Sequence, residues 1–117
     1  MPAKRVILEM GTGNDLHGGN YTKAAVRAVE DAIHHSSLPL IRSLKVDARL
    51  MQVEVTIGVQ RPEQVEPAAV KSVLPNGEVT VKVVKGGLDV PDSETGDTAV
   101  IASAAVCVRM DLPQAGG

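Results

Sequence analysis

Gly11-Thr12-Gly13-Asn14-Asp15-Leu16-His17-Gly18-Gly19-Asn20 stands between an apolar run and an amphipathic one, and its reading decides the architecture on both sides. Upstream, Arg5 to Met10 puts Val6, Leu8 and Met10 on one side and Ile7 and Glu9 on the other, the pattern of a strand covered on both faces. Downstream, Ala25, Val29, Ala32 and Ile33 recur at helical spacing from Tyr21 to about His35, with Asn20 as N-cap and Pro39 barring continuation. Ala24, Ala25, Ala28 and Ala32 make a face of small side chains that lets this helix lie close against a sheet. The glycine-rich stretch therefore reads as the connection from a strand to a helix, where small α/β proteins place chemistry. Glycines let backbone amides approach a ligand, and a helix N-terminus supplies positive potential.

Further along, Met51 to Gln60 alternates Val53, Val55, Ile57 and Val59 against polar neighbours, as a half-buried strand does. Pro67 opens a second helix that turns Ala69, Val70, Val73 and Leu74 inward and ends at Pro75-Asn76-Gly77. A third strand carries Val79, Val81 and Val83. A fourth, Ala99 to Arg109, is rich in small residues, which suits a central position or a packed subunit interface. An acidic loop, Gly86 to Thr98, separates these two. The expected fold class is α+β, in the order β-α-β-α-β-β, a mixed sheet with helices on one face. Residues 1–112 form one domain in this reading, and 113–117 a frayed tail.

Composition limits the function. At 117 residues with a single aromatic, Tyr21, the core is built from Val, Ile, Leu, Ala and Met, and burial between subunits is an expected supplement. The formal charge is −2 and the twelve Lys and Arg are dispersed, which argues against a nucleic-acid partner. The apolar runs are too short for a membrane span or a leader, and the lone Cys107 suits a buried thiol. A cytoplasmic protein without a disulfide framework is expected.

Several residues are candidates for chemistry. The stretch from Gly11 has Leu16 where a dinucleotide fingerprint needs its last glycine, and Gly18 is followed by Gly19-Asn20 where a phosphate loop needs Lys and a hydroxyl. A less specific anion or carboxamide site on the amides of the loop and helix start remains, with Gly11, Gly13, Asn14, Asp15, His17, Gly18 and Asn20 as ligand-binding residues; a ligand-free structural turn competes with it. Asp15-x-His17 with His34 and His35 suggests zinc, but a helix of some fifteen residues separates the two groups by about 20 Å. No metal or cofactor is assigned. Lys85, at a strand end before Gly86 and Gly87, is a candidate base if desolvated, with the Thr12 hydroxyl as nucleophile or orienting group and Thr22 as another hydroxyl. The competing reading of Lys85 is a solvated surface lysine. Arg61 is a further candidate for holding an anion.

The element order and length resemble the trimeric fold of the Bacillus-type chorismate mutases, the YjgF-type deaminases and the cyclodiphosphate synthases. That resemblance implies a homotrimer with sites in clefts between subunits. The blocks Arg5 to Lys23, His34 to Leu38, Val55 to Glu63 and Val84 to Val90 resemble a small bacterial "Lin" family of conserved hypothetical proteins. More distantly, Val83-Val84-Lys85 and Tyr21-Thr22-Lys23 are similar to motifs in one repeat of the ring-opening amidohydrolases, cyanuric acid hydrolase and barbiturase. That likeness implies hydrolysis of a cyclic amide, although Thr12 stands where those enzymes place a serine. Three functions are thus open: a cyclic amide hydrolase using Lys85 and Thr12, a non-catalytic module holding a small anionic metabolite, and a metal-dependent enzyme using Asp15 and His17.

Overall fold

The computed structural model describes residues 4–34, 51–74 and 78–110. Eight elements follow one another: β1 (Lys4–Asp15), α1 (Tyr21–His34), β2 (Met51–Val59), a 3-10 turn (Pro62–Gln64), α2 (Pro67–Lys71), β3 (Glu78–Lys85), β4 (Leu88–Pro91) and β5 (Thr98–Met110). The strands form one mixed sheet in the order β1-β5-β2-β3, with β4 also paired to β5. Only β2 and β3 run parallel; β5 is antiparallel to β1, β2 and β4. The α+β class and mixed sheet are as expected. The expected His35 end of the first helix, Pro39, the turn Pro75-Asn76-Gly77 and the tail 113–117 lie outside the described residues.

β5 is central because its small and β-branched side chains can be covered from both edges. One edge pairs with β1 from Val100 to Met110, while the other is shared by β4, along Thr98 to Ile101, and β2, along Ser103 to Met110. Its inward residues Val100, Ala102, Ala104, Val106 and Val108 are buried together with Val53, Val55, Ile57 and Val59 of β2. Val79, Val81 and Val83 of β3 close the core. Helix α1 covers β1 and β5, and α2 lies against β3.

Two expectations change here. The glycine-rich stretch is mostly strand: β1 continues through Gly11 to Asp15, and only Leu16 to Asn20 connects it to α1. The glycines serve packing. A Cβ on Gly11 would lie 2.4 Å from the Ala32 nitrogen, and one on Gly13 would lie 2.2 Å from the Ala28 nitrogen. Helix and strand thus meet backbone to backbone, through the alanine face of α1. The acidic loop, second, contains strand β4 and a tight turn in which the Asp92 N–H donates to the Asp97 carbonyl at 2.8 Å and the Gly96 N–H to the Asp92 carbonyl at 2.9 Å.

Both helices occupy one face of the sheet, and the opposite face carries no helix among the described residues. None of the described helices is long and apolar enough to cross a membrane.

Candidate functional site

The start of α1 is closed by the chain itself. Asn20 caps the helix: its Oδ1 accepts from the Lys23 N–H at 3.0 Å, and its carbonyl accepts from the Ala24 N–H at 3.1 Å. The Asn20 N–H donates in turn to Asp15 Oδ2 at 2.9 Å. Asp15 is 5% exposed, and its other oxygen lies 3.7 Å from Arg27 Nη1. A carboxylate belonging to the chain therefore sits where an anionic ligand was expected.

Arg27 and Asp31, one helical turn apart on α1, reach the outer edge of β1. Arg27 Nη1 donates to the Asn14 carbonyl at 2.7 Å, and the Thr12 N–H donates to Asp31 Oδ2 at 3.0 Å. Together they satisfy backbone groups that an edge strand otherwise offers to another chain.

The remaining candidates are scattered. Thr12 and Asn14 are exposed on the helix-free face of β1. Lys85, exposed at the end of β3, stands opposite Val59. Thr12 is separated from β3 by β5 and β2, three strand spacings or about 14 Å. Alternation along β3 puts Lys85 on the side of Val83, the face opposite Thr12. The Thr22 hydroxyl links α1 to the next segment, donating to the Gln64 carbonyl at 3.2 Å and accepting from the Glu66 N–H at 3.0 Å.

Gly86 and Gly87 carry the chain across the end of β2, from β3 to β4. The Gly86 N–H donates to the Val59 carbonyl at 2.9 Å, and the Gln60 amide donates to the carbonyls of Gly86 and Gly87 at 3.0 and 3.1 Å. Gly87 has φ +62°, and a Cβ there would lie 2.1 Å from the Ile101 carbonyl oxygen, so no other residue fits the crossing.

Beside it is a pair that the sequence reading did not single out. Tyr21, 7% exposed, donates its hydroxyl to Asp89 Oδ2, while Asp89 Oδ1 is buried with no partner among the described residues. That hydrogen bond, burial and the Asp89 charge all raise the Tyr21 pKa above 10.0, against an opposing pull from Arg61. Arg61 itself is exposed at the start of the 3-10 turn.

His17 is paired with Asp97 and not with Asp15. Its Nδ1 lies 3.5 Å from Asp97 Oδ2, so it bridges the Leu16–Asn20 connection and the β4–β5 turn. Between them lies a cleft of about 470 Å³ lined by Leu16, His17, Val90, Asp92, Thr95 and Asp97, among others. Asp92 is held below the ordinary carboxylate range chiefly by the Glu94 amide, whose N–H donates to its Oδ1 at 2.9 Å, with further help from Thr95. In sequence, Asp89, Asp92, Glu94 and Asp97 are scattered among turn formers, the pattern of a solvated loop, and nothing there singles out Asp92 and Asp97. Asp92 and Gly96 around a tight turn were the available signal for a hairpin. Exposed His34 lies at the far end of α1, and His35 is outside the described residues. No group of three metal-ligating side chains occurs among the described residues.

Comparison with known proteins agrees with this architecture. The crystal structure of an FtsZ-like protein of unknown function from Nostoc punctiforme superimposes with a TM-score of 0.82 and 40% sequence identity, over 96% of this chain and 99% of that one. No curated protein matches the chain. The sequence model of the Lin0512 family matches residues 5–108, nearly the whole of the sheet and its helices, and the chain belongs to this family of conserved hypothetical proteins.

Proposed function

We propose that this protein is a binding module for a small molecule rich in N–H donors, held without conversion between the Leu16–His17 segment and the β4–β5 turn. The observation that carries the reading is the His17–Asp97 pair, which joins two separate loops that line a cleft of about 470 Å³. Leu16 and Val90, 57% and 49% exposed, offer apolar walls for a ring. Asp92 and Asp97 offer acceptors for its N–H groups, and their charge disfavours the anionic metabolite first considered. Small-molecule sites combine apolar walls with a few polar groups in this way.

Hydrolysis of a cyclic amide by Lys85 and Thr12 requires both groups on one substrate. Their separation across the sheet favours binding over turnover within a subunit. Self-association, expected from the small core, belongs to the same reading; the trimer implied by the fold resemblance is one arrangement of it, and a two-fold contact is another.

A thermal-shift screen with cyclic ureides, purine and pyrimidine breakdown products, amines and small carboxylates tests the proposal, followed by product analysis of each hit. A ligand present at about 100 times its Kd stabilises by about 2.7 kcal/mol. The expected hits carry N–H donors, are recovered intact and lose their effect in Asp97→Asn. Consumption of the ligand, or hits confined to carboxylates, would overturn it.

A further inference from the structure

We infer that a second copy of this chain docks on the helix-free face of the sheet, with Met10 of one subunit seated over Gly58 of the other. The inference extends the self-association named above and does not depend on the cleft ligand.

That face has a knob and a hollow side by side. Met10, 73% exposed, and Leu8, 46% exposed, stand along β1. Next to them is a shallow cavity of about 490 Å³ whose lining includes Thr12, Thr56, Gly58, Ser103 and Ala105. Strand register explains the hollow: Met10, Ala105 and Thr56 share one row across the sheet, and Thr12, Ser103 and Gly58 the next. On β5 and β2 every residue in those rows is small, and Gly58 has no side chain; Lys82 and Val84 of β3 bound the hollow on its far side. Methionine suits such a hollow because its unbranched thioether adapts to irregular gaps. Since knob and hollow lie on the same face, two copies related by a two-fold axis make the contact twice.

Charge is sparse where the contact forms, and Asp31 in the cavity lining already accepts from the Thr12 N–H at 3.0 Å. On this face the β1 and β5 residues from Leu8 to Thr12 and from Ile101 to Cys107 carry no charge. Glu54, on the neighbouring strand, is already paired with Arg109 at 3.2 Å. Burying that pair leaves no lone ion behind, and Glu78 and Lys82 of β3 lie outside a contact that seats Met10 over Gly58 and so centres on β5.

The area also suffices. The overlapping strands β1, β5 and β2, of 12, 13 and 9 residues, average about 39 Å at 3.4 Å per residue, and three strands spaced about 4.8 Å apart span about 14 Å. The resulting plane of about 550 Å² per partner, before side-chain relief, gives about 1,100 Å² in all, above the roughly 1,000 Å² that a specific interface needs. Arg27 and Asp31 occupy the β1 edge at Asn14 and Thr12, which directs the second copy to the face and away from strand addition at that edge.

Sedimentation velocity on the full chain tests this. The expected mass is at least twice the 12.2 kDa of one chain. Met10→Glu and Ser103→Arg, each on an exposed position and checked for native circular dichroism, should each return the mass to one chain; Lys23→Glu, on the outer side of α1, should not. A wild-type protein sedimenting as a single chain overturns the inference, and so does unchanged mass in both face variants. An Asp97→Asn protein that loses its ligand but keeps its mass separates failure of the cleft reading from failure of this one.

Discussion

Gly13→Ala adds one methyl group at the closest approach of α1 and β1. The new carbon would fall 2.2 Å from the Ala28 nitrogen and 2.4 Å from the Ala24 carbonyl oxygen. Favourable contact lies at about 3.5–4.0 Å, so the helix must retreat by at least about 1.3 Å. A gap of 0.5–1 Å already forfeits about a quarter to a half of a dispersion contact. The side chains that lose them, Ala24, Ala25, Ala28, Val29 and Ala32, are 0% exposed. Overpacking alone costs about 1–3 kcal/mol, and opening this seam takes the expected loss to about 3–5 kcal/mol. Against a total stability of about 5–15 kcal/mol, that is a large fraction.

The sign of the effect is diagnostic. Gly13 is not in the left-handed region, so alanine there would ordinarily stabilise by about 0.4–1 kcal/mol through the unfolded chain. Urea unfolding followed by circular dichroism measures the difference, with an unchanged slope showing that the denatured state is the same. The groups struck are backbone atoms, so trimming α1 with Ala28→Gly should not restore stability. Stability at or above wild type in Gly13→Ala would refute the packing argument.

Tyr21→Phe should cost about 1.5–3 kcal/mol, because it leaves the Asp89 carboxylate without its hydrogen bond. Its pH dependence is also defined: the folded state holds the Tyr21 proton more tightly than the unfolded chain, so this stabilisation is complete below pH 10.0 and lost as pH rises through the raised folded value. The gap between wild type and Tyr21→Phe should therefore narrow in alkaline unfolding curves, and a constant gap would count against the pair. Asp15→Ala should cost about 1–3 kcal/mol by stranding the Asn20 amide, Asn20→Ala about 1 kcal/mol, and the double variant less than their sum, as read from urea midpoints. Arg27→Ala with Asp31→Ala should raise light scattering on storage by freeing the β1 edge, and unchanged scattering would argue against a guarding role.

The alternation of Val53 to Val59 and the helical spacing of Ala25, Val29 and Ala32 were legible because each element buries one face, and burial imposes its own period on the residues. Gly11 and Gly13 misled for the opposite reason. Glycine is depleted in strands, so a run holding two of them reads as a loop; here the demand came from α1, which shares no local signal with β1. The alanine face of α1 was the complementary half of that contact, and it was visible. β4 escaped because it has four residues and ends at Pro91 beside an acidic turn. The Tyr21–Asp89 pair joins residues 68 positions apart, a relation that no periodicity encodes.

The position of the candidate site follows from how the glycine-rich segment spends its polar groups. For an outside anion to use the amide of Asn20, it must displace the Asp15 carboxylate, which the strand already holds at 2.9 Å. A tethered group of this kind competes at an effective concentration of about millimolar or more, and it loses no translational freedom on binding. An external anion at metabolic levels gains little against that. The side chains that β1 and the following turn do not use internally point elsewhere: Thr12 to the helix-free face, and His17 to Asp97. A ligand therefore finds its polar contacts on the outer side of the turn, and a second subunit finds its contacts on the open sheet, so the two should be separable by mutation. If Asp97→Asn abolished assembly or Met10→Glu abolished ligand binding, that separation would fail, and cleft and face would have to be treated as one composite site.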